Sequence, residues 1–328
     1  MTKQAMSKNA SDKKLRIVFM GTPEFAAVTL RALIDAGHEI VLVLTQPDRR
    51  GNRNKMILSP VKELALEHGI EILQPQRLRK EPEVAERIEA IQPDMIIVAA
   101  FGQIIPKNII DIPKYGCINV HGSLLPALRG AAPMQAAILE GLKETGITIM
   151  RMDEGLDTGD MISKVRCDIF EKDILEVSDI LAHAGAKLLV ETLPSIADGT
   201  AVYEKQDESL STYAKMISKS DGMTDFNESA EMVERKIRAY IDWPTCYSYL
   251  DGAMVKFYKA EAVTDVHPEG RVGAICEISK DYYAIKCSEG MLKVYEQQLA
   301  GKKRMSAADF MRGRKLEIGE RFRAEEEK

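Results

Sequence analysis

Asn119 and His121 stand two residues apart at the end of the run Cys117-Ile-Asn-Val-His121. Successive side chains of a β-strand alternate faces, so these two polar groups point the same way while Ile118 and Val120 point the other. An amide offers N–H donors to a developing oxyanion, and an imidazole moves a proton near neutral pH. Addition of an amine to a carbonyl needs both. A histidine standing alone is more often structural; it is the neighbouring amide that makes His121 a candidate. A third feature is the glycine-punctuated acidic loop Met152-Asp-Glu-Gly-Leu-Asp-Thr-Gly-Asp160, after a strand over Ile147–Met150. Its carboxylates do not follow the EF-hand pattern and Leu156 intrudes, so calcium is the minor reading. A carboxylate from this loop beside His121 would orient the imidazole and favour its charged form. The residues alone define an acyl-transfer or hydrolytic site built from Asn, His and Asp. No G-x-S-x-G elbow is present, and Ser123 has no base at a recognisable spacing, which favours direct attack by a substrate amine. The turn Gly21-Thr-Pro23 lacks the dinucleotide fingerprint, which disfavours a nicotinamide cofactor.

The elements that must hold these residues are legible by period. Leu15–Met20 reads as a buried strand, Glu24–Ala36 as an amphipathic helix and Ile40–Thr45 as a second strand. A polar loop follows over Gln46–Leu58, then Ser59-Pro60 caps a helix ending near His68-Gly69. Glu71–Leu73 (strand), Glu81–Ile91 (helix), Met95–Ala99 and Cys117–His121 (strands) continue the alternation. Such alternation predicts a doubly wound parallel α/β sheet with ligands at the carboxyl ends of its strands, here after Met20, Ala99 and Val120. Ile174–Ala197 reads as one long helix, and the polar stretch Thr200–Ser220, without a period, as a linker. A helix over Ala230–Tyr240 then precedes short β-type runs (Cys246–Leu250, Val255–Ala260, Gly273–Ile278, Tyr282–Lys286, Leu292–Gln297) at the spacing of a small barrel or sandwich.

A chain of 328 residues exceeds one usual core, so two domains are expected. Hydrophobic residues at 45% and charged residues at 29% are those of an ordinary globular chain and exclude wholesale disorder. No apolar run approaches the roughly 18 residues of a bilayer span, and the first dozen residues lack a signal-peptide core, which places the chain in the cytoplasm with no membrane partner. The 5 cysteines form no C-x-x-C pair, so neither disulfides nor a bound metal is expected. A net charge of −5 argues against bulk attraction to nucleic acid. Lys302, Lys303, Arg304, Arg312, Arg314 and Lys315 nonetheless cluster, as a basic face or as a solvated loop and helix end.

These motifs resemble the methionyl-tRNA formyltransferase family over nearly the whole chain. The resemblance rests on Gly21-Thr-Pro-Glu-Phe25, Thr45-Gln-Pro-Asp-Arg49, Ser59-Pro-Val-Lys62, Phe101-Gly-Gln-Ile-Ile-Pro106, Cys117–Pro133, Met152–Met161, Trp243-Pro244 and Gly301-Lys-Lys303. It implies a fold: an α/β, Rossmann-like doubly wound formyltransferase domain followed by a small OB-like β-barrel. The expected divisions are a flexible leader (1–14), a catalytic domain (15–201), a linker (202–221) and a tRNA-binding barrel (222–328). It implies Asn119, His121 and Asp157 as catalytic residues and Ser123, Leu124, Leu125 and Pro126 as the folate-contacting segment. The implied reaction moves a formyl group from 10-formyltetrahydrofolate, a co-substrate, to the α-amine of methionine on initiator Met-tRNA. The loop Pro47–Lys55 departs from the family pattern with Arg50 for Pro and Asn52 for Gly. The acceptor-end arginine then aligns with Arg53, with Arg50 and Lys55 beside it. Lys302, Lys303, Arg304 and Arg314 are expected to hold phosphates. Leu128 and Phe101 replace an aromatic residue and a tyrosine, respectively. No obligate protein partner is evident. The alternative is a folate-dependent formyltransferase acting on a small amine, such as glycinamide ribonucleotide or an amino-sugar nucleotide, which would have no use for the basic loop or the second domain. A non-enzymatic alternative is an RNA-binding scaffold using the barrel alone.

Overall fold

The computed structural model describes residues 14–50 and 56–323, with Arg50 described by its backbone only. The leader up to residue 13, Arg53, Lys55 and the side chain of Arg50 lie outside the described residues. The chain forms two compact units, the first ending at Ala214 and the second comprising Met134–Lys143, Ile169–Val177 and the chain from Lys215 on.

The first unit is built on strands β1 (Arg16–Gly21), β2 (Glu39–Leu44), β3 (Ile72–Leu73), β4 (Met95–Ala99), β5 (Cys117–His121), β6 (Glu144–Arg151) and β7 (Met161–Asp168). They lie in the order β7-β6-β5-β4-β1-β2-β3. The central strands are wholly buried, Ile17 through Met20 and Met95 through Ile97 being fully enclosed. Unbroken apolar runs of this kind suit parallel strands covered on both faces. Helices α1 (Glu24–Asp35), α2 (Pro60–Glu67), α3 (Pro82–Ile91) and α4 (Lys107–Ile110) interleave with these strands, and α5 (Pro133–Leu139) follows β5 in the chain. As its sequence requires, the side chain of Ser59 caps α2 by accepting the Lys62 amide at 3.2 Å. A Cβ on Gly21 would come within 2.6 Å of the Ala26 side chain and 2.8 Å of the Ala99 carbonyl, so only glycine lets α1 start this close to β4.

Two features differ from the purely parallel expectation. β6 pairs antiparallel with β5, and β7 antiparallel with β6. The short acidic loop between β6 and β7 leaves no room for a crossover helix, so the chain must turn back on itself. β7 escapes a hydrophobicity reading because it is an edge strand, rich in polar residues and mostly half-exposed. The stretch expected to be a loop after β2 contains a short pairing of Arg49–Arg50 with Met56–Ile57. Beyond α6 (Ile174–Asp198) the chain at 204–214 remains attached to the first unit, through a bridge between Met161 and Glu204 and parallel pairing of Tyr213–Ala214 with Arg129–Gly130.

In the second unit, α7 (Ala230–Tyr240) packs on antiparallel strands β8 (Cys246–Leu250), β9 (Ala253–Val263), β10 (Ile275–Ile278), β11 (Tyr283–Lys286), β12 (Met291–Leu299) and β13 (Phe322–Arg323). Their order is β10-β11-β12-β9-β8-β13, and the two edges meet where Ala274 bridges Arg321 and the Ile275 amide reaches the Glu320 carbonyl at 2.8 Å. The sheet thus closes on itself as an OB-like barrel. Irregular pairing at Lys259 lets the long β9 bend. Phe257 and Phe322, with ring centroids 5.6 Å apart, fill the interior with Phe226 against both. Phe257→Ala empties a fully buried site and is expected to cost the barrel about 3–5 kcal/mol in denaturant unfolding followed by Trp243 fluorescence. A loss below about 1 kcal/mol contradicts this core assignment.

Candidate active site

Asn119 and His121 end β5 on one face, 9% and 5% exposed. Asp157 comes from the loop joining β6 to β7, where its backbone adopts φ +54°. One carboxylate oxygen lies 3.5 Å from Asn119 Nδ2 and 3.6 Å from His121 Nδ1. The three residues singled out in sequence are therefore brought together. Both separations are long for hydrogen bonds, so the groups keep donor and acceptor capacity for a reacting carbonyl. The other carboxylate oxygen accepts the Gly130 amide at 2.8 Å. His121 Nε2 faces the Leu128 carbonyl at 3.1 Å. Nε2 therefore donates to that carbonyl, while Nδ1 is left facing Asp157 at a separation too long for a hydrogen bond.

The turn after β5 is shaped from below by Thr148 on β6. Its enclosed hydroxyl donates to the Ser123 carbonyl at 2.8 Å and accepts the Leu125 amide at 3.0 Å. Ser123 in turn donates to the Ala127 carbonyl at 2.6 Å, and the Leu125–Pro126 peptide is cis. Of the four residues expected at the folate, Ser123 and Leu125 turn their side chains inward, Leu125 packing with Met150 and Met161. Leu124 and Pro126 remain half-exposed. Such a turn can offer a flat heterocycle two apolar side chains and backbone groups. Burial pushes the Cys117 thiol well above its ordinary range, so it stays protonated and is no nucleophile.

Sequence reasoning passed over the residues that hold this assembly. Arg129 is wholly buried, and its guanidinium donates to both oxygens of Glu208 at 2.9 and 2.8 Å and, through Nε, to Gln206 Oε1 at 2.9 Å. Gln206 Nε2 donates to the backbone carbonyls of Asp157 (2.7 Å) and Gly159 (2.8 Å). Thr212 accepts the Leu128 amide on its hydroxyl and the Arg129 amide on its carbonyl, both at 2.8 Å. At Gly130 (φ +108°) a Cβ would lie 2.6 Å from the Ala214 carbonyl, so the pairing there needs glycine. The one available signal was the β-type triplet Thr212-Tyr-Ala214 inside an otherwise aperiodic stretch.

A second polar cluster braces the stem of the basic loop. Lys62 donates to Asp48 at 2.5 Å and to Gln74 at 2.7 Å, while Gln74 donates to Asp48 and to the Gln46 carbonyl, both at 2.9 Å. Gln46 reaches the Phe101 carbonyl at 3.0 Å. The bond from Lys62, then that from Gln74, holds the Asp48 carboxyl below its ordinary range. On the barrel, Lys302 and Lys303 are exposed and form no ion pair among the described residues. Arg304 is tied to Glu296 at 2.6 Å and lies over the Tyr258 ring, and Arg314 is paired with Asp251 and Glu320. Among the described residues no group of three or more His, Cys, Asp or Glu is placed to hold a metal ion, and no helix is long and apolar enough to cross a membrane.

Comparison with known proteins joins the two units to one class of enzyme. The sequence model "Formyl transferase" matches residues 15–193, and "Formyl transferase, C-terminal domain" matches residues 216–315. Methionyl-tRNA formyltransferases of Lachnospira eligens and Bacillus licheniformis are each 47% identical, over 93% and 95% of this chain and 98% and 99% of theirs. The N-formyltransferase of Helicobacter canadensis, solved with folinic acid and dTDP-3-aminofucose, shares the fold at a TM-score of 0.66 and 17% identity, covering 89% of this chain and 100% of its own. The chain belongs to the methionyl-tRNA formyltransferase family. It is a transferase, and its formyl donor is 10-formyltetrahydrofolate.

The Arg129–Glu208 pair carries a pH signature. Glu208 titrates below its ordinary value of 4.5 because the Arg129 guanidinium hydrogen-bonds its charged form. A depressed folded-state value means that the pair's contribution is complete above the unfolded carboxylate value and is lost as pH falls through the folded one. The Leu128 and Arg129 amides, bonded to Thr212, should therefore resist hydrogen exchange down through pH 4.5 and lose protection only in stronger acid. Loss of protection already above that value counts against the assignment.

Proposed function

We propose that this enzyme transfers the formyl group of 10-formyltetrahydrofolate to the α-amine of methionine esterified to initiator tRNA, in the cytoplasm. The observation that carries the chemistry is the single Asp157 oxygen met by both the Asn119 amide and the His121 imidazole at the carboxyl end of β5. The names of the close relatives support the tRNA substrate. Catalysis is positioning and charge stabilisation. The neutral amine attacks the formyl carbon, and Asn119 Nδ2–H with a ring N–H of His121 holds the oxyanion that forms. Asp157 orients His121 and takes up the proton leaving the amine through a water molecule. That proton reaches the folate nitrogen as its bond to the formyl carbon breaks. Leu124 and Pro126 flank the folate, with Ser123 and Leu125 setting the turn. The Arg50–Lys55 loop, Arg53 in particular, approaches the acceptor end.

The direct test offers the purified chain 10-formyltetrahydrofolate with charged initiator tRNA, and separately with glycinamide ribonucleotide or an amino-sugar nucleotide. Formylmethionyl-tRNA as the favoured product supports the reading; preference for either small amine ends it. Asn119→Ala should lower turnover on the order of 10²–10³-fold without changing the melting temperature. Unchanged turnover in a folded variant removes Asn119 from the oxyanion role.

For the tRNA side, Lys302 and Lys303 present free ammonium groups to phosphates, while Arg304 and Arg314 are already engaged within the barrel. The KM for tRNA should rise with salt, and replacing both lysines by alanine should reduce the logarithmic salt slope by about two and leave kcat unaltered. A salt-independent KM refutes phosphate binding by this face.

A further inference from the structure

We infer that residues 206–212 form a strap whose task is to place the catalytic carboxylate, with Gln206 and Glu208 as positioning residues; the inference rests on the catalytic reading of Asp157 above. Nothing in the loop carrying Asp157 fixes its main chain at that residue. The fixing bonds come from Gln206, whose amide donates to the carbonyls on either side of Thr158, those of Asp157 and Gly159, at 2.7 and 2.8 Å. The Asp157 side chain is held by the Gly130 amide, and Gly130 is held in turn by its pairing with Ala214. Even the group facing the far nitrogen of His121, the Leu128 carbonyl, belongs to a residue whose amide is bonded to Thr212. The strap thus reaches both ends of the imidazole–carboxylate pair.

Its own register is set by charge. Arg129 is fully enclosed whereas the Glu208 side chain is 70% exposed. A buried guanidinium without a carboxylate is strongly unfavourable, so Arg129 selects the one course of the strap that brings Glu208 over it. That same course places Gln206 Oε1 on Arg129 Nε, leaving the two amide hydrogens directed at the loop. Gln206 bonds to Arg129 and to the Asp157 and Gly159 carbonyls, and Glu208 bonds to Arg129, so both are assigned to act through Asp157.

The test is kinetic. Gln206→Leu keeps the bulk and removes both donors. We expect kcat for formylation of charged initiator tRNA to fall on the order of 10–100-fold, with KM for tRNA and for 10-formyltetrahydrofolate within about twofold of the parent. The effect should be absorbed by Asp157→Asn: the double variant should be no slower than Asp157→Asn alone, because a positioning residue has nothing left to position. Multiplying losses, which a general structural role produces, overturn the inference, as does full kcat in Gln206→Leu beside an impaired Asp157→Asn. Full turnover in Asp157→Asn overturns the catalytic reading and this inference together. Should Gln206→Leu fail to fold, Gln206→Asn keeps the amide but shortens its reach and should also lower kcat at unaltered KM; full kcat there overturns the strap.

Discussion

The site depends on holding a carboxylate still at the tip of a loop. Asn119 and His121 need little help, since a strand inside a seven-stranded sheet fixes their directions. Asp157 has no such frame, and its left-handed backbone is a conformation that a non-glycine residue keeps only when neighbours impose it. The imposition is traceable to one buried cation. Arg129 must be neutralised where it lies, Glu208 is the group that does so, and the chain between Gln206 and Thr212 is thereby laid across the loop. The position of the Asp157 carboxylate thus traces back to an ion pair that makes no bond to it.

How far the sequence reveals this depends on the range of the interaction. The strands and helices around the site follow from local period and caps: continuous apolar runs for β1 and β4, Ser59-Pro60 before α2, and polar alternation at Asn119 and His121. β7 does not, because an edge strand with one exposed face carries Ser163, Lys164 and Arg166 where a buried strand would carry apolar residues. Asp157 stood among several carboxylates, and only the resemblance to a family distinguished it. Its partners were hidden further. Gln206 bonds to a loop 49 residues earlier, and Glu208 to an arginine 79 residues earlier. No window of sequence contains both ends of such a contact, and an aperiodic polar stretch reads as linker whether or not it is pinned down.

Charge shows the same gap between composition and placement. The C-terminal region holds basic and acidic residues in near balance, and four of its basic residues were expected to face phosphates. Two of the four are already held by carboxylates of the same barrel, Arg304 by Glu296 and Arg314 by Asp251 and Glu320. Arg304 also lies across the Tyr258 ring, next in sequence to the exposed Lys302 and Lys303. An arginine with planar, paired geometry suits that bracing, whereas a lysine on a flexible stem suits a solvated phosphate. Counting cations overstates how many are left unpaired because it cannot separate these two uses.

The choice of an amide at position 206 has a further logic. Loops at the carboxyl ends of the strands are repeatedly fastened by glutamine: Gln46 to the Phe101 carbonyl, Gln74 to the Gln46 carbonyl, Gln103 to the Leu78 amide and the Pro75 carbonyl, and Gln206 to the Asp157 loop. A glutamine presents two donors and an acceptor on one neutral group, so it can bridge backbone segments in any polarity. Gln206 uses all three at once, two on carbonyls and one on Arg129. A lysine there would set a second positive charge beside Arg129, and a glutamate would set a second negative charge beside the Asp157 loop. Either would place a net charge beside the loop that carries Asp157. A neutral amide fastens the loop without adding a charge beside Asp157, so three bonds restrain the segment and leave the charges of Arg129, Glu208 and Asp157 as they are.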